Sequence, residues 1–243
     1  SLGDMVAGVA HEVNTPIGLG ITASTMMLDR LAMIDQQFKD KTLKASAMER
    51  FINESQENLN IIYRNLDRAA QLISSFKQVA VDQTNEAARE VNVKQLIEET
   101  LMSMRPRLKK VTHTINIDCP ETLNVMCKAG PLNQILINLI MNSLIHAFET
   151  VENGKIDVIA RLTDDQKLKI IYKDNGSGIP TSIKKRIFDP FVTTKRGQGG
   201  SGLGMHLVFN LVTQALNGNI KLESEEGNGV EFTLTFPVTV KKP

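Results

Sequence analysis

The chain has 243 residues, with 28 Lys and Arg against 27 Asp and Glu and a formal net charge of +1. That length favours two domains over one, and so even a charge balance leaves no field to recruit nucleic acid or an anionic membrane. Hydrophobic residues at 42% and charged residues at 23% fit a soluble globular protein. No apolar run reaches the roughly 20 residues of a membrane span, and Ser1-Leu2-Gly3-Asp4 opens without the basic and apolar zones of a signal peptide. A cytoplasmic location without membrane contact is therefore expected for this stretch, any anchor belonging to a sensor region outside it. Cys119 and Cys127 have no metal-ligand spacing and read as reduced thiols.

Residues 1–81 read as helix. Proline occurs there only at Pro16, and no strand alternation is visible. Met5, Val6, Val9, Val13, Ile17, Ile21, Leu28, Leu31 and Ile34 form a broad apolar stripe. Gln36 to Lys41 break it with a polar turn. Ile52, Leu59, Ile62, Leu66, Ala69, Ile73 and Phe76 then recur at coiled-coil steps. Two helices and a short connection make a hairpin. One hairpin cannot bury a two-sided stripe, so a homodimeric four-helix bundle is expected, against the alternative of a hairpin packed on the second half.

On the first helix, His11, Asn14, Thr15 and Gly18 share one face. Pro16 lacks an N–H and crowds the carbonyl of Glu12, which predicts a bend beside the histidine. Alone, such a histidine is more often an ordinary surface residue.

Residues 82–90 are polar and read as a linker. From 91 to 243 helices are expected at 93–108, 131–148 and 203–216, and strands at 112–118, 155–163, 167–173, 219–225 and 230–236. The last two strands are joined by a Gly227-Asn228-Gly229 hairpin signal. The pattern predicts an α+β, or α/β sandwich, domain.

Three features of this half carry chemistry. Asn138 and Asn142 lie four apart on one face of an apolar helix; they need partners, whether backbone groups, phosphate oxygens or a metal ion. A strand ends in Asp174-Asn175-Gly176-Ser177-Gly178. A calcium loop there fails because Lys185 occupies the position that requires a bidentate Glu. The glycines leave room for a flat ligand beside a fixed carboxylate, which can accept a hydrogen bond from an exocyclic amine. Finally, Gly197 to Gly204 precede an apolar helix, an arrangement suited to phosphate. It is no Walker loop. Gly197, Gly199 and Gly202 with Glu223 approach a dinucleotide fingerprint. Its context is wrong, because Thr193-Thr194-Lys195-Arg196 precede the glycines where a buried strand should stand.

Taken in order, these motifs resemble those of the two-component sensor histidine kinases. His11-Glu12-Val13-Asn14-Thr15-Pro16 is similar to the H box, Asn138 to Ser143 to the N box, and Asp174 to Gly178 to the first glycine box. Phe188-Asp189-Pro190-Phe191 is similar to the F box, and Gly200-Ser201-Gly202-Leu203-Gly204 to the second glycine box.

The resemblance implies roles. His11 would attack the γ-phosphate of ATP, and Glu12 would hold its tautomer and take the proton. Thr15 would orient water when a partner is dephosphorylated. Asn142 would coordinate Mg²⁺ with Asn138 close by, and Asp174 would bind the adenine amine in a pocket shaped by Gly176 and Gly178. Lys195, in a lid closing over ATP, would meet phosphate oxygens, as would the amides of Gly202 and Gly204 within the second glycine box. The implied partners are a second copy and the receiver domain of a response regulator.

Departures exist. Ile145-His146 stand where many relatives carry Lys and an aromatic residue, leaving phosphate charge to Mg²⁺, Lys195 and Arg196. His146 either stacks on adenine or caps a core edge. Asn14 replaces a commonly basic residue, while His113 and His206 read as structural. The alternatives are a gyrase-type ATPase or clamp and a non-catalytic dimeric scaffold.

Overall fold

The computed structural model describes residues 2–81, 87–109, 112–195, 200 and 202–240. It divides into two compact units, Ser1–Phe76 and Lys77–Pro243. Residues 82–86 of the expected linker lie outside the described residues.

The first unit is a helical hairpin of α1 (Leu2–Lys39) and most of α2 (Ala45–Val81), whose residues from Lys77 on are assigned to the second unit. The second helix starts after the turn at 40–44, where Lys41 adopts a positive φ of 56°. Helix α1 runs unbroken through Pro16. Small buried residues line its inner side (Pro16, Gly20, Ala23), facing a helix that buries Asn58, Ala69 and Leu72. Ion pairs Arg30–Glu54 and Arg68–Glu12 set the antiparallel register.

Much of the expected apolar seam is uncovered. Ile52, Leu59, Leu66 and Ile73, spaced by seven, are 45%, 56%, 54% and 53% exposed, and Ile21, Leu28 and Leu31 also face outward. One expectation is corrected here. By length and composition, α1 over Ala7–Lys39 holds an 18-residue window apolar enough to cross a membrane, with mean hydropathy 1.3. This is weak evidence, because the core helix of a soluble bundle passes the same test.

The second unit opens with β1 (Arg89–Asn92), which starts inside the expected linker and pairs antiparallel with β3 (Asn124–Cys127). Both strands are too short to show alternation. Asn92 caps α3 (Val93–Ser103), its side chain accepting from the Gln95 amide at 2.9 Å. The single helix expected over 93–108 breaks at Met104 and resumes as α4 (Arg105–Leu108), because Pro106 cannot continue the hydrogen-bond ladder.

The main sheet has five strands in the order β2 (Thr114–Asp118), β4 (Lys155–Leu162), β5 (Lys167–Asp174), β7 (Val230–Pro237), β6 (Asn219–Ser224). Strand β2 runs parallel to β4 and the other pairs are antiparallel, so the sheet is mixed. One face buries Ile156, Val158, Ala160, Leu168, Ile170, Tyr172, Phe232, Leu234 and Phe236. The core's other layer comes from α3, from α5 (Ala129–Asn142) and from α7 (Gly204–Asn210). A short α6 (Thr181–Lys184) lies between.

The helices expected at 131–148 and 203–216 each change pitch. Helix α5 passes into a π-helical turn at Ser143–Ala147, and α7 into another at Leu211–Ala215. Such turns are rare and concentrate at functional sites.

Ile170 is 1% exposed at the centre of the middle strand. Ile170→Ala should cost about 3 kcal/mol by lost transfer energy and cavity formation, lowering the urea midpoint of the second unit. A midpoint unchanged by the substitution would contradict this account of the core.

Candidate functional site

A cavity in the second unit collects most of the residues singled out from the sequence. Its lining includes Asn138, Asn142, Ser143, His146, Asp174, Gly178, Gly200, Gly202, Gly204 and Phe232. It holds about 200 Å³, room for a planar heterocycle.

Helix α5 supplies the first wall. Leu132, Ile135, Leu136 and Leu139 are at most 1% exposed, which turns Asn138 and Asn142 toward α7. Asn138 donates to the Gln134 carbonyl at 2.8 Å, leaving its oxygen for the cavity. The Nδ2 of Asn142 is buried with no partner. Opposite them stands Gly204, where an added Cβ would lie 3.2 Å from Asn138 Oδ1 and 3.6 Å from Asn142 Oδ1.

Asp174 ends β5 as a buried carboxylate. It accepts from Ser143 Oγ at 2.6 Å and from the Gly176 amide at 3.0 Å. Burial pushes its ionisation above the usual carboxylate range, while these donors pull it back. Ser143 Oγ lies 2.7 Å from the Tyr172 hydroxyl, which sits 3.2 Å from the Leu139 carbonyl. Neither Ser143 nor Tyr172 was singled out as a site residue from the sequence.

The glycines after Asp174 have steric reasons. A Cβ at Gly176 would come within 2.6 Å of the Ala147 carbonyl oxygen. Gly178 has φ 71° and Gly202 φ 68°, and a side chain at Gly202 would meet Phe191 backbone at 2.5 Å. The Gly202 carbonyl accepts from the Phe191 amide at 2.9 Å, tying the second glycine box to the F box. Arg196, the glycines at 197 and 199, and Ser201 lie outside the described residues, whereas Gly200 and Leu203 lie within them.

Lys195 pairs with Glu149 at 2.8 Å, its side chain 15% exposed. His146 Nδ1 is 3.2 Å from Thr194 Oγ1. Burial, and secondarily the Lys195 charge, lower the imidazole's ionisation, with Glu149 opposing. His146 lines the cavity and is linked to the segment before the glycines. His206 is tied into its surroundings through both ring nitrogens. Its Nδ1–H donates to the Phe188 carbonyl at 2.9 Å, and its Nε2 is 3.1 Å from Asn210 Nδ2. His113 accepts from the Gly154 amide at 3.0 Å and lies against Phe148.

In the first unit, His11, Asn14, Thr15 and Gly18 are all exposed, and nothing lies within 4 Å of a Cβ built on Gly18. Thr15 Oγ1 donates to the His11 carbonyl at 3.1 Å. Glu12 faces Arg68 across the hairpin at 3.7 Å. Arg68 escaped the sequence reading because only the antiparallel register brings it to Glu12.

A helical region ahead of a mixed-sheet α/β domain, with paired asparagines, a buried aspartate and two glycine turns around one cavity, defines an ATPase domain of one known class. The model for "Histidine kinase-, DNA gyrase B-, and HSP90-like ATPase" matches residues 127–240, which implies use of ATP. The catalytic domain of histidine kinase ThkA is 31% identical with TM-score 0.53, covering 62% of this chain and 95% of that one. The chain belongs to the histidine kinases. ThkA in complex with response regulator protein TrrA aligns over 98% of this chain and 62% of that one, at 26% identity and TM-score 0.65. Signal transduction histidine-protein kinase AtoS of Escherichia coli (strain K12) is 28% identical across 98% of this chain. Only 35% of AtoS is matched, and 34% of sporulation kinase A of Bacillus subtilis (strain 168), so the chain spans about a third of these relatives.

Gly176→Ala should drive its methyl into the turn at Ala147, lowering Tm by several degrees and weakening ATP binding together. Calorimetry with and without nucleotide checks this; unaltered binding at native Tm would contradict the steric account.

Proposed function

We propose that this chain is the core of a dimeric sensor kinase that moves the γ-phosphate of ATP onto His11 and then to an aspartate of a response regulator. The observation that carries it is an exposed His11 on a clear helix face, in a chain whose other unit holds an ATPase-type cavity. The neighbouring kinase solved with a response regulator supports the second transfer.

Chemically, a ring nitrogen of His11 forms the P–N bond as the bond to the β-phosphate oxygen breaks and ADP leaves. Glu12 would hold the tautomer and take the proton, and Arg68 beside it would keep that carboxylate in place. Asp174 would accept the adenine amine. Lys195, released from Glu149, would meet phosphate oxygens with the amides of Gly202 and Gly204. Thr15 would orient water for hydrolysis of the partner's phospho-aspartate, which releases inorganic phosphate.

Mg²⁺, when bound, offsets phosphate charge. Among the described residues no three His, Cys, Asp or Glu side chains form a metal cluster. The unpartnered Nδ2 of Asn142 is a donor suited to a phosphate oxygen, and the Oδ1 of the same amide would be the oxygen offered to Mg²⁺. The same proposal includes domains at 1–81 and 91–243 joined through 82–90, with β1 taking up the last two residues of that linker.

Two experiments test it. With γ-labelled ATP and Mg²⁺, the native chain should gain acid-labile, base-stable label that His11→Gln lacks; label persisting in the variant would exclude His11 as the nucleophile. ATP binding without label would favour the clamp or scaffold alternatives. For the dimer, the exposed row at Ile52, Leu59, Leu66 and Ile73 is the proposed seam, covered by a second copy. Leu59→Asp with Leu66→Asp should halve the mass seen by light scattering, and a native chain that is already monomeric would remove the dimer.

A further inference from the structure

The chain of hydroxyls behind Asp174 has a direction that the distances determine. Ser143 Oγ stands 2.6 Å from Asp174 Oδ2 and 2.7 Å from Tyr172 Oη. A serine has one proton, and an ionised carboxylate can only accept, so Ser143 donates to Asp174. The phenol must then donate to Ser143; otherwise two oxygens would face each other at 2.7 Å with no proton between them. The Leu139 carbonyl, 3.2 Å from the phenol, is the weaker secondary acceptor. Tyr172 is fully buried and Ser143 is 2% exposed, so water does not compete for either group.

From this geometry we infer that Ser143 and Tyr172 are positioning residues, a relay that keeps Asp174 an oriented acceptor and thereby sets the preference for a 6-amino over a 6-oxo purine. The inference rests on the proposed role of Asp174 toward adenine. A carboxylate that accepts can pair with an exocyclic amine but repels a 6-oxo group. A protonated one does the opposite. Whatever fixes the charge and rotamer of Asp174 therefore fixes the choice of base. The backbone amides of Gly176 and Val230 contribute, but each is held by the turn or the sheet. The hydroxyl pair is the part a side-chain change can remove.

The titratable groups around Asp174 on the described elements are few. Tyr172 comes from β5, and His146 from the π-helical turn lines the same cavity, while β7 presents the Val230 amide. Burial holds the Tyr172 phenol well above its usual ionisation, so it keeps its proton as a donor across the neutral range. Burial lowers that of His146, which favours the neutral imidazole. Removing a donor to ionised Asp174 raises the pH at which it protonates. Affinity for the amine is then complete above that pH and is lost as pH falls through it.

The test measures dissociation constants of the whole chain for ATP and for inosine triphosphate, from about pH 5.5 to about pH 8.5. Ser143→Ala should weaken ATP about tenfold at the acid end and recover toward native at the alkaline end, the size expected for one charge-assisted hydrogen bond. Its preference for ATP over inosine triphosphate should shrink in parallel. Tyr172→Phe should move both readouts the same way by less, and Ser143→Thr, which keeps the hydroxyl, should restore them. Tyr172→Phe deletes a single oxygen and carries the test if Ser143→Ala does not fold. Equal weakening of both nucleotides at every pH, or no change, overturns the relay. Asp174→Asn separates the two levels. If it retains the native preference, the adenine role of Asp174 falls and the relay with it. If it loses the preference while Ser143→Ala and Tyr172→Phe keep it, the relay alone is wrong.

Discussion

Packing one side of α5 against the sheet decides where the chemistry of this chain can sit. Leu132, Ile135, Leu136, Leu139 and Ile140 are buried at 0–1% exposure, and a helix with that much of its surface committed cannot rotate. Asn138 and Asn142 are left on the side toward α7, where Gly204 lacks a side chain that would crowd their oxygens. The π-helical turn then widens the helix at Ser143–Ala147. Ser143 is turned onto Asp174, His146 toward Thr194 and the Ala147 carbonyl onto the Ser177 amide. Spacings of three and four keep Ser143, His146 and Ala147 along one wall of the helix.

The helical unit faces the opposite difficulty. Its inner contact uses small residues, which lets the two helices approach but buries little apolar area, and the larger side chains point away. An uncovered row of Ile and Leu at heptad spacing is costly in water and is matched to another helix of the same period. The apolar character of α1 is likewise spread over more than one face, with Val9 and Ala23 buried in the hairpin and Ile21, Leu28 and Leu31 facing outward. His11 escapes this burial because its neighbours on that face are Asn14, Thr15 and Gly18, which leave the imidazole in solvent.

Long-period features were legible in the sequence, and contacts set by register or by side-chain protons were not. The hairpin followed from stripes that run over dozens of residues, the four longer sheet strands from apolar patterns of six to eight, and the paired asparagines from a spacing of four. Strands β1 and β3 have four residues each and carry no period. The break at Met104 was available in principle from Pro106, whose missing N–H ends a helix turn. The pitch changes at Ser143 and Leu211 have no composition signal, since Ser-Leu-Ile-His-Ala reads as ordinary helix. Arg68, Glu149 and Tyr172 entered the picture through partners 56, 46 and 29 positions away (Glu12, Lys195 and Ser143). Nothing local marks them. Tyr172 in particular occupies an inward strand position where any large apolar residue would satisfy the pattern.

Lys195 illustrates how charge and cavity are linked before any nucleotide arrives. Its ammonium is largely covered yet paired with a carboxylate, Glu149, that is itself more than half exposed. An ion pair with one solvated partner is worth little, because the exposed carboxylate is screened and keeps its side-chain freedom. The same lysine also bears on His146, whose charged form it disfavours beyond the effect of burial. A polyphosphate offers Lys195 several anionic oxygens in exchange for one weakly held carboxylate. In the role proposed for Lys195, such an exchange would leave no buried cation unpaired, and its cost would be close to that of one screened ion pair.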